Sequence, residues 1–142
     1  MTRFKICGLR DPANALVALE SGADFIGMVF VPGVRRQITP ERALEVVAAV
    51  RANPGSEGPR FVGLFANQPV DEVNDIVDRC GLDMAQLCGD ESPEYWARVE
   101  VDVIKQIKVR DDTLADTLSS VKSVVEAGHI AMLDKYEKGA LG

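Results

Sequence analysis

The stretch FKICGLRDPANALVALESGADFIGMVF, residues 4–30, contains the unit that the rest of the chain repeats. It begins with a short apolar strand, continues with a helix that starts after Asp11-Pro12, and ends with a second apolar strand. The helix has apolar residues at helical spacing and stops at Ser21-Gly22. The second strand, Phe25–Phe30, is apolar at nearly every position, as is typical of strands covered on both faces in a parallel sheet.

Outward from this unit, strands and helices alternate along the chain. A proline recurs just inside the helix starts, because its missing N–H would be unpaired there, and a polar residue before it can cap the free amides. At Gln68-Pro69 the preceding residue is a poor cap, so we expect Asn67 or Asp71 to cap that helix. The predicted strands are Phe4–Cys7, Phe25–Phe30, Phe61–Ala66, Met84–Cys88, Val103–Val109 and Ile130–Asp134, and the predicted helices are Ala13–Glu20, Glu41–Arg51, Val70–Cys80, Pro93–Val99 and Leu114–Glu126.

Regular alternation predicts an α/β fold with parallel strands and right-handed crossovers, in either an open doubly wound sheet or a (β/α)8 barrel. The dinucleotide signature Gly-x-Gly-x-x-Gly is missing after the first strand, which disfavours a Rossmann arrangement. In that strand Lys5 and Cys7 share one face, and Phe4 and Ile6 share the other. Polar groups on one face of a buried strand fit a barrel interior that leads to an open mouth.

Composition limits the classes of function. With 142 residues and no dividing linker, the chain suits one domain, residues 1–142. A net charge of −6 disfavours a nucleic-acid partner, so an anionic ligand needs a local arginine or helix N-termini. No apolar run approaches the roughly 20 residues of a membrane span. The early strand argues against a signal peptide, and the three cysteines favour a reducing cytoplasm over a disulfide framework.

Barrel active sites lie at the carboxyl ends of the strands, which gives a short list of candidates. Cys7 ends the first strand, and it is either a small buried hydrophobe or a reactive thiol. Gly8 removes a side chain where a ligand needs close approach. Asp134 ends the sixth strand and is either a turn or capping residue or a proton donor at the barrel mouth.

The loop after the second strand carries Arg35 and Arg36. A solvated arginine is the ordinary case, but one of the pair could fork onto a ligand carboxylate, and Arg36 is the better candidate. A metal site is disfavoured, because His129, the only histidine, precedes the sixth strand and so lies at the end of the barrel opposite to Cys7 and Cys88.

With these residues in place, the sequence resembles the phosphoribosylanthranilate isomerase family of tryptophan biosynthesis. The most specific matches are Lys5-Ile-Cys-Gly8 and Gly89-Asp-Glu-Ser-Pro-Glu94. The resemblance implies a (β/α)8 barrel that catalyses an Amadori rearrangement of an anionic sugar phosphate without metal or cofactor. Further matches, in the family's order, are Gly22-Ala-Asp24, Pro32 to Pro40, Val62-Gly-Leu-Phe65, Gly81-Leu-Asp83, Gln86-Leu87 and Met132-Leu-Asp134.

The resemblance also implies roles for individual residues. Asp134 would be the general acid that protonates the furanose ring oxygen, and Cys7 the general base that removes the proton from C2 of the sugar. Arg36 would pair with the anthranilate carboxylate, and Gly8 and Gln86 are predicted to bind substrate. A homodimer, or fusion to a neighbouring biosynthetic domain, stays open.

Two departures from the family pattern qualify these expectations. Cys88 stands where family members usually have histidine. The predicted strands recur at about 25-residue intervals, so eight units need about 200 residues and this chain supplies six. We therefore expect open sheet edges, no phosphate grip and little or no activity from the 142-residue chain alone. The alternatives are a non-catalytic barrel remnant that assembles with a partner, and another sugar-phosphate isomerase on the same scaffold.

Overall fold

The computed structural model describes residues 2–53, 58–109 and 114–135. Within these ranges six strands alternate with five helices, and the predicted elements are confirmed to within one residue at their ends, except that the fourth helix ends at Trp96 instead of Val99. In chain order the elements are β1 (Lys5–Cys7), α1 (Pro12–Glu20), β2 (Phe25–Val29), α2 (Pro40–Arg51), β3 (Arg60–Phe65), α3 (Val70–Cys80), β4 (Met84–Leu87), α4 (Pro93–Trp96), β5 (Asp102–Val109), α5 (Leu114–Glu126) and β6 (Ile130–Lys135).

All neighbouring strands pair in parallel, in the order β1-β2-β3-β4-β5-β6. A doubly wound sheet reverses its strand order at a switch point, whereas this order runs in one direction. The sheet is therefore the barrel type, with six of the eight βα units of the (β/α)8 fold. Among the described residues, no helix has the length and apolar character to cross a membrane.

Three helix starts are capped as their sequences predict. In each case a side-chain oxygen accepts a hydrogen bond from a backbone amide of the first helical turn, which satisfies a donor that has no partner within the helix. The capping bonds run from Asn14 N to Asp11 Oδ1 (2.9 Å), from Arg42 N to Thr39 Oγ1 (3.3 Å) and from Tyr95 N to Ser92 Oγ (3.4 Å).

The cap expected for α3 was wrong. Pro69 itself occupies the cap position, and no side chain there bonds to the helix amides. Asn67 instead accepts a hydrogen bond at 2.8 Å from the backbone of Asp90, in the loop after β4, and Asp71 pairs with Arg98 at 3.1 Å. Both side chains therefore bond to residues distant in the sequence instead of capping the helix.

The sheet has two different faces, because successive strand residues project to opposite sides. The outer face packs against the helices in a large core that includes Ile26, Met28 and Phe65. The inner face carries a smaller apolar cluster, which Cys7 and Cys88 border. The inner cluster consists of Val29, Val31, Val62, Leu64, Met84 and Ile104.

The two edge strands of the described sheet expose apolar side chains, as expected. Phe4, directly before β1, is 44% exposed, and in β6 Ile130 and Leu133 are 46% and 58% exposed. Uncovered strand edges and apolar side chains of this kind favour pairing with further chain.

Candidate active site

A cavity of about 290 Å³ opens on the inner face of the sheet, at the carboxyl ends of the strands. Four of the five predicted site residues line it, namely Cys7, Arg36, Gln86 and Asp134. A larger cleft of about 660 Å³ lies between α5, β5 and the loop after β4, but none of the five lines it. The remaining wall of the smaller cavity consists of Lys5, Val29, Val31, Val34, Leu64, Ala66, Cys88, Gln106, Met132 and Leu133.

Cys7 is half-buried at the end of β1, and its neighbour in the sheet is Gly27 of β2. A Cβ atom at Gly27 would lie 2.8 Å from the Cys7 Sγ atom, closer than real side chains approach. The missing side chain at Gly27 therefore provides the space in which the thiol sits. This position faces the cavity, so the thiol is accessible to a ligand bound there.

Gly8 follows Cys7 with a φ angle of +82°, in the left-handed region that favours glycine. A Cβ atom there would lie 2.6 Å from Cδ of Arg36. Gly8 thus makes room for the aliphatic part of the Arg36 side chain. A direct contact between Gly8 and substrate stays a prediction. Arg36 Nη1 donates a hydrogen bond to the Cys7 carbonyl oxygen at 3.3 Å, which places the guanidinium above the end of β1.

The loop after β2 holds Arg36 in place. Ile38 N donates to the Val29 carbonyl at 2.8 Å, and Gly33 N donates to Oε1 of Gln37 at 2.9 Å. Arg36 is exposed, and no carboxylate of the described residues lies within ion-pair distance of it. Its guanidinium is therefore available to an external carboxylate.

Asp134, at the carboxyl end of β6, is exposed at the rim of the cavity. Gln106 of β5 donates a hydrogen bond from Nε2 to Oδ2 of Asp134. Gln106 itself is buried and lines the cavity. Sequence reasoning missed this residue, although the alternation of β5 after the inward-facing Ile104 would have placed it on the inner face.

A second polar chain crosses the floor of the cavity. Lys5 Nζ donates to Oε1 of the buried Gln86, and Gln86 Nε2 donates to Sγ of Cys88 at 3.4 Å. Burial raises the pKa of the Cys88 thiol, so this cysteine stays neutral at ordinary pH. The carboxamide of Gln86 is engaged at both its nitrogen and its oxygen, and its contact with substrate stays a prediction.

On the opposite, helix-facing side of β5, sequence reasoning also missed a buried ion pair. Lys105 Nζ lies 2.7 Å from Oε2 of Glu91, and the two side chains are 8% and 1% exposed. The other Glu91 oxygen, Oε1, accepts from the amides of Asn67 (2.8 Å) and Gly89 (3.2 Å). Burial alone would raise the Glu91 pKa, but the Asn67 amide and the Lys105 ammonium group together hold it below its ordinary value.

The site thus places a thiol, a carboxyl group and a guanidinium group around one mostly apolar space. Such a set can exchange protons with a ligand and bind its carboxylate, and neither task needs a covalent bond between protein and ligand. Of the residues in ranges 2–53, 58–109 and 114–135, no three His, Cys, Asp or Glu side chains are grouped to hold a metal ion.

Comparison with known sequences gives one family. Residues 4–142 match the family described as N-(5'phosphoribosyl)anthranilate (PRA) isomerase. The N-(5'-phosphoribosyl)anthranilate isomerase of Geotalea uraniireducens is 41% identical over 145 residues, covering 100% of this chain and 65% of that relative. The protein of the same name from Dehalococcoides mccartyi is 40% identical over 146 residues, again covering 100% and 65%. The chain thus spans 65% of the length of these curated relatives.

Solved structures give the same result. The phosphoribosyl anthranilate isomerase of Thermotoga maritima superimposes with a TM-score of 0.84 at 29% identity, over 99% of this chain and 64% of that one. A phosphoribosyl anthranilate isomerase in complex with reduced 1-(o-carboxyphenylamino)-1-deoxyribulose 5-phosphate superimposes with a TM-score of 0.81, also at 29% identity, over 96% and 66%.

Proposed function

The chain belongs to the N-(5'-phosphoribosyl)anthranilate isomerase family, and from this membership we propose that the complete protein converts N-(5'-phosphoribosyl)anthranilate into 1-(2-carboxyphenylamino)-1-deoxyribulose 5-phosphate in tryptophan biosynthesis. One observation carries the proposal. Cys7, Arg36 and Asp134, which come from three separate parts of the chain, line the same cavity at the carboxyl ends of the strands.

In this reaction Asp134 acts as the general acid. It donates its proton to the furanose ring oxygen, the bond from that oxygen to C1 breaks, and C1 becomes an iminium carbon conjugated with the anilino nitrogen. Cys7 then removes the proton from C2, and the electron pair forms the C1–C2 double bond of an enolamine. Loss of the C2 hydroxyl proton and protonation at C1 give the ketone, so the product has the same atoms as the substrate.

The cavity suits the aromatic end of this substrate. Arg36 is exposed and pairs with the anthranilate carboxylate, while Val31, Val34 and Leu64 offer an apolar wall for the ring. In barrels of this type the phosphate is held by the loops after strands seven and eight. We therefore assign phosphate binding to the segment of the relatives that this chain does not span. We expect residues 1–142 alone to show little or no turnover.

The function is tested with the complete protein by chromatographic separation of substrate and product. We expect turnover in the wild type and a loss of about 10²- to 10⁴-fold in kcat for Asp134→Asn and for Cys7→Ser, since general acid–base groups contribute on this scale. Arg36→Met should instead raise KM for the substrate. An inactive wild type, or full activity of either acid–base variant, would contradict the assignment.

Adding a separate fragment with two further βα units to residues 1–142 tests the remnant alternative, which predicts assembly without turnover.

We also propose that the protein acts in the cytoplasm and as a homodimer. A structure of monomers generated from the dimeric Thermotoga maritima enzyme superimposes on 95% of this chain with a TM-score of 0.80 at 29% identity. Light scattering of the complete protein checks the dimer, and a monomer at micromolar concentration would contradict it.

A further inference from the structure

Gln106 lies in the cavity beside the proposed general acid, and nothing in the proposed mechanism uses it. We propose that Gln106 is a positioning residue, which fixes the carboxyl group of Asp134 so that one oxygen faces the reacting ring oxygen. This inference rests on the proposed function and adds to it a residue that acts through Asp134.

The positions of the two side chains are set by the register of the last two strands. Gln106 pairs with Met132, and Lys108 pairs with Asp134, so Gln106 lies two residue pairs deeper in the barrel than Asp134. Its side chain spans this offset towards the rim and donates from Nε2 to Oδ2 of Asp134. Gln106 is only 7% exposed, so the surrounding side chains fix the position of the donor. The carboxyl group of Asp134 that accepts its hydrogen bond is exposed to water.

This arrangement gives the two carboxyl oxygens of Asp134 different tasks. Oδ2 accepts the amide N–H, which leaves Oδ1 to carry the proton towards the ligand. When that proton moves to the ring oxygen, Asp134 becomes an anion, and its hydrogen bond to Gln106 becomes charge-assisted and stronger. A bond that strengthens along the reaction stabilises the transition state more than the bound substrate, so it acts on kcat. An amide does not titrate in this range, so the donor is present at every working pH.

The test is a double-mutant cycle in the complete protein, with Gln106→Met, Asp134→Asn and the two combined. Gln106→Met keeps the length and volume of the side chain and removes the donor. We expect kcat to fall about 10- to 100-fold, as for the loss of a hydrogen bond to a charged group, with KM within about twofold. In the Asp134→Asn background the same change should alter the residual rate by less than about twofold, because the group it positions is already gone.

Gln68→Met is the matched control. Gln68 is also a buried glutamine at 7% exposure, but it does not line the cavity. Its carboxamide donates to the Phe30 carbonyl and to Glu72 and accepts from the Ala66 amide, so it contacts none of the proposed acid–base groups. We expect its kcat to stay within about twofold of the wild type. If Gln106→Met does not fold, Gln106→Leu replaces it in the cycle.

The outcomes separate this inference from the proposed function. A wild type without isomerase activity refutes the function itself. An active wild type that loses activity with Asp134→Asn but not with Gln106→Met overturns only the positioning role. Additive losses in the cycle, or an equal kcat loss for Gln68→Met, also overturn it, since both indicate a general loosening of the structure. Binding of the reduced deoxyribulose phosphate analogue should be unchanged in Gln106→Met, and a tenfold loss of that binding would reassign Gln106 to substrate binding.

Discussion

Lys105 and Gln106 are neighbours in sequence, yet they serve opposite faces of β5. Lys105 lies on the side of Val103 and Ile107, in the core beneath the helices, and it pairs with a carboxylate that is almost fully buried. Gln106 lies on the cavity side and bonds to a carboxyl group that water can reach. A single residue of sequence therefore separates a polar contact that stabilises the fold from one that we assign to chemistry.

The depth of a polar pair in the fold determines whether it serves stability or reaction rate. Removing one partner of a buried ion pair leaves an uncompensated charge in a dry environment, which costs several kcal/mol. Removing a partner from a carboxyl group at an open rim leaves that group hydrated, so the fold loses little. The pair Lys105–Glu91 should therefore be visible in stability, and the pair Gln106–Asp134 in rate.

The largest expected effect is that of Lys105→Met. It leaves Glu91 buried without its cation, and we expect the free energy of unfolding of the complete protein to fall by about 3–5 kcal/mol. Denaturant unfolding measures this change. Lys108→Met, at an exposed position of the same strand, is the control and should stay within about 0.5 kcal/mol of the wild type. If Lys105→Met hardly changes the free energy of unfolding, the proposed contrast between a stabilising pair and a catalytic pair on the two faces of β5 is wrong.

A double variant sharpens this result. Adding Glu91→Gln to Lys105→Met removes the stranded charge while keeping an oxygen that accepts from Asn67 and Gly89. We expect the double variant to recover about 1–3 kcal/mol relative to Lys105→Met alone, because an unpaired buried charge costs more than a hydrogen-bonded amide. If it recovers nothing, the loss in Lys105→Met arises from packing or from the hydrogen bonds of Lys105 to the Leu87 and Gly89 carbonyls, and not from the charge of Glu91.

The next largest effects are expected at two strand glycines, one on the helix-facing side of the sheet and one on the cavity side. A Cβ atom at Gly63 would lie 2.7 Å from side-chain atoms of Leu82 and Phe65 in the outer core. Gly63→Ala should therefore lower stability by about 1–3 kcal/mol, with kcat nearly unchanged in the folded protein. Gly27→Ala presses on the Cys7 thiol and should lower kcat about 10- to 100-fold, since small misplacements of a reacting group cost rate on that scale. Equal losses of stability and rate in both variants would contradict the division between faces.

The smallest effect is the response to acid. The pKa of Glu91 is held below its ordinary value in the folded protein, so the stability it contributes is present above its unfolded pKa and is lost as pH falls through the folded one. Lys105→Met removes a group that lowers this pKa, so Glu91 binds its proton at a higher pH in the variant than in the wild type. The stability gap between the two proteins should therefore narrow as pH falls through the range around the ordinary glutamate value. Asp11, whose pKa is lowered by the Asn14 amide, affects both proteins equally. A gap that is constant from pH 7 to pH 3 would contradict the paired state of Glu91.

Most of the fold could be predicted because its signals are local. Apolar strands, Pro-led helix starts and the alternation of Lys5 and Cys7 in β1 depend on short-range geometry. The meeting of Cys7, Arg36 and Asp134 also followed from one rule, since the carboxyl ends of parallel strands meet at one rim. Their roles stay proposals, because position alone does not show a reaction.

What the sequence did not reveal are contacts between distant segments. The bond from Gln106 to Asp134 depends on the register of β5 and β6, and the ion pair of Lys105 depends on how the loop after β4 folds back. Asn67 similarly bonds to that loop instead of capping α3. A lysine inside an apolar strand was the available signal for the ion pair, because a buried ammonium group needs a partner.

The strand order has a consequence for how the protein is made. Each of the strands β2 to β6 pairs with the one just before it in the chain, as Phe25 does with Lys5 and Asp102 with Met84. Within the described sheet, each of the strands β2 to β6 therefore finds its docking edge already synthesised when it leaves the ribosome. Short sequence separations shorten the search for native pairing, so the sheet can grow from β1 towards β6 as translation proceeds.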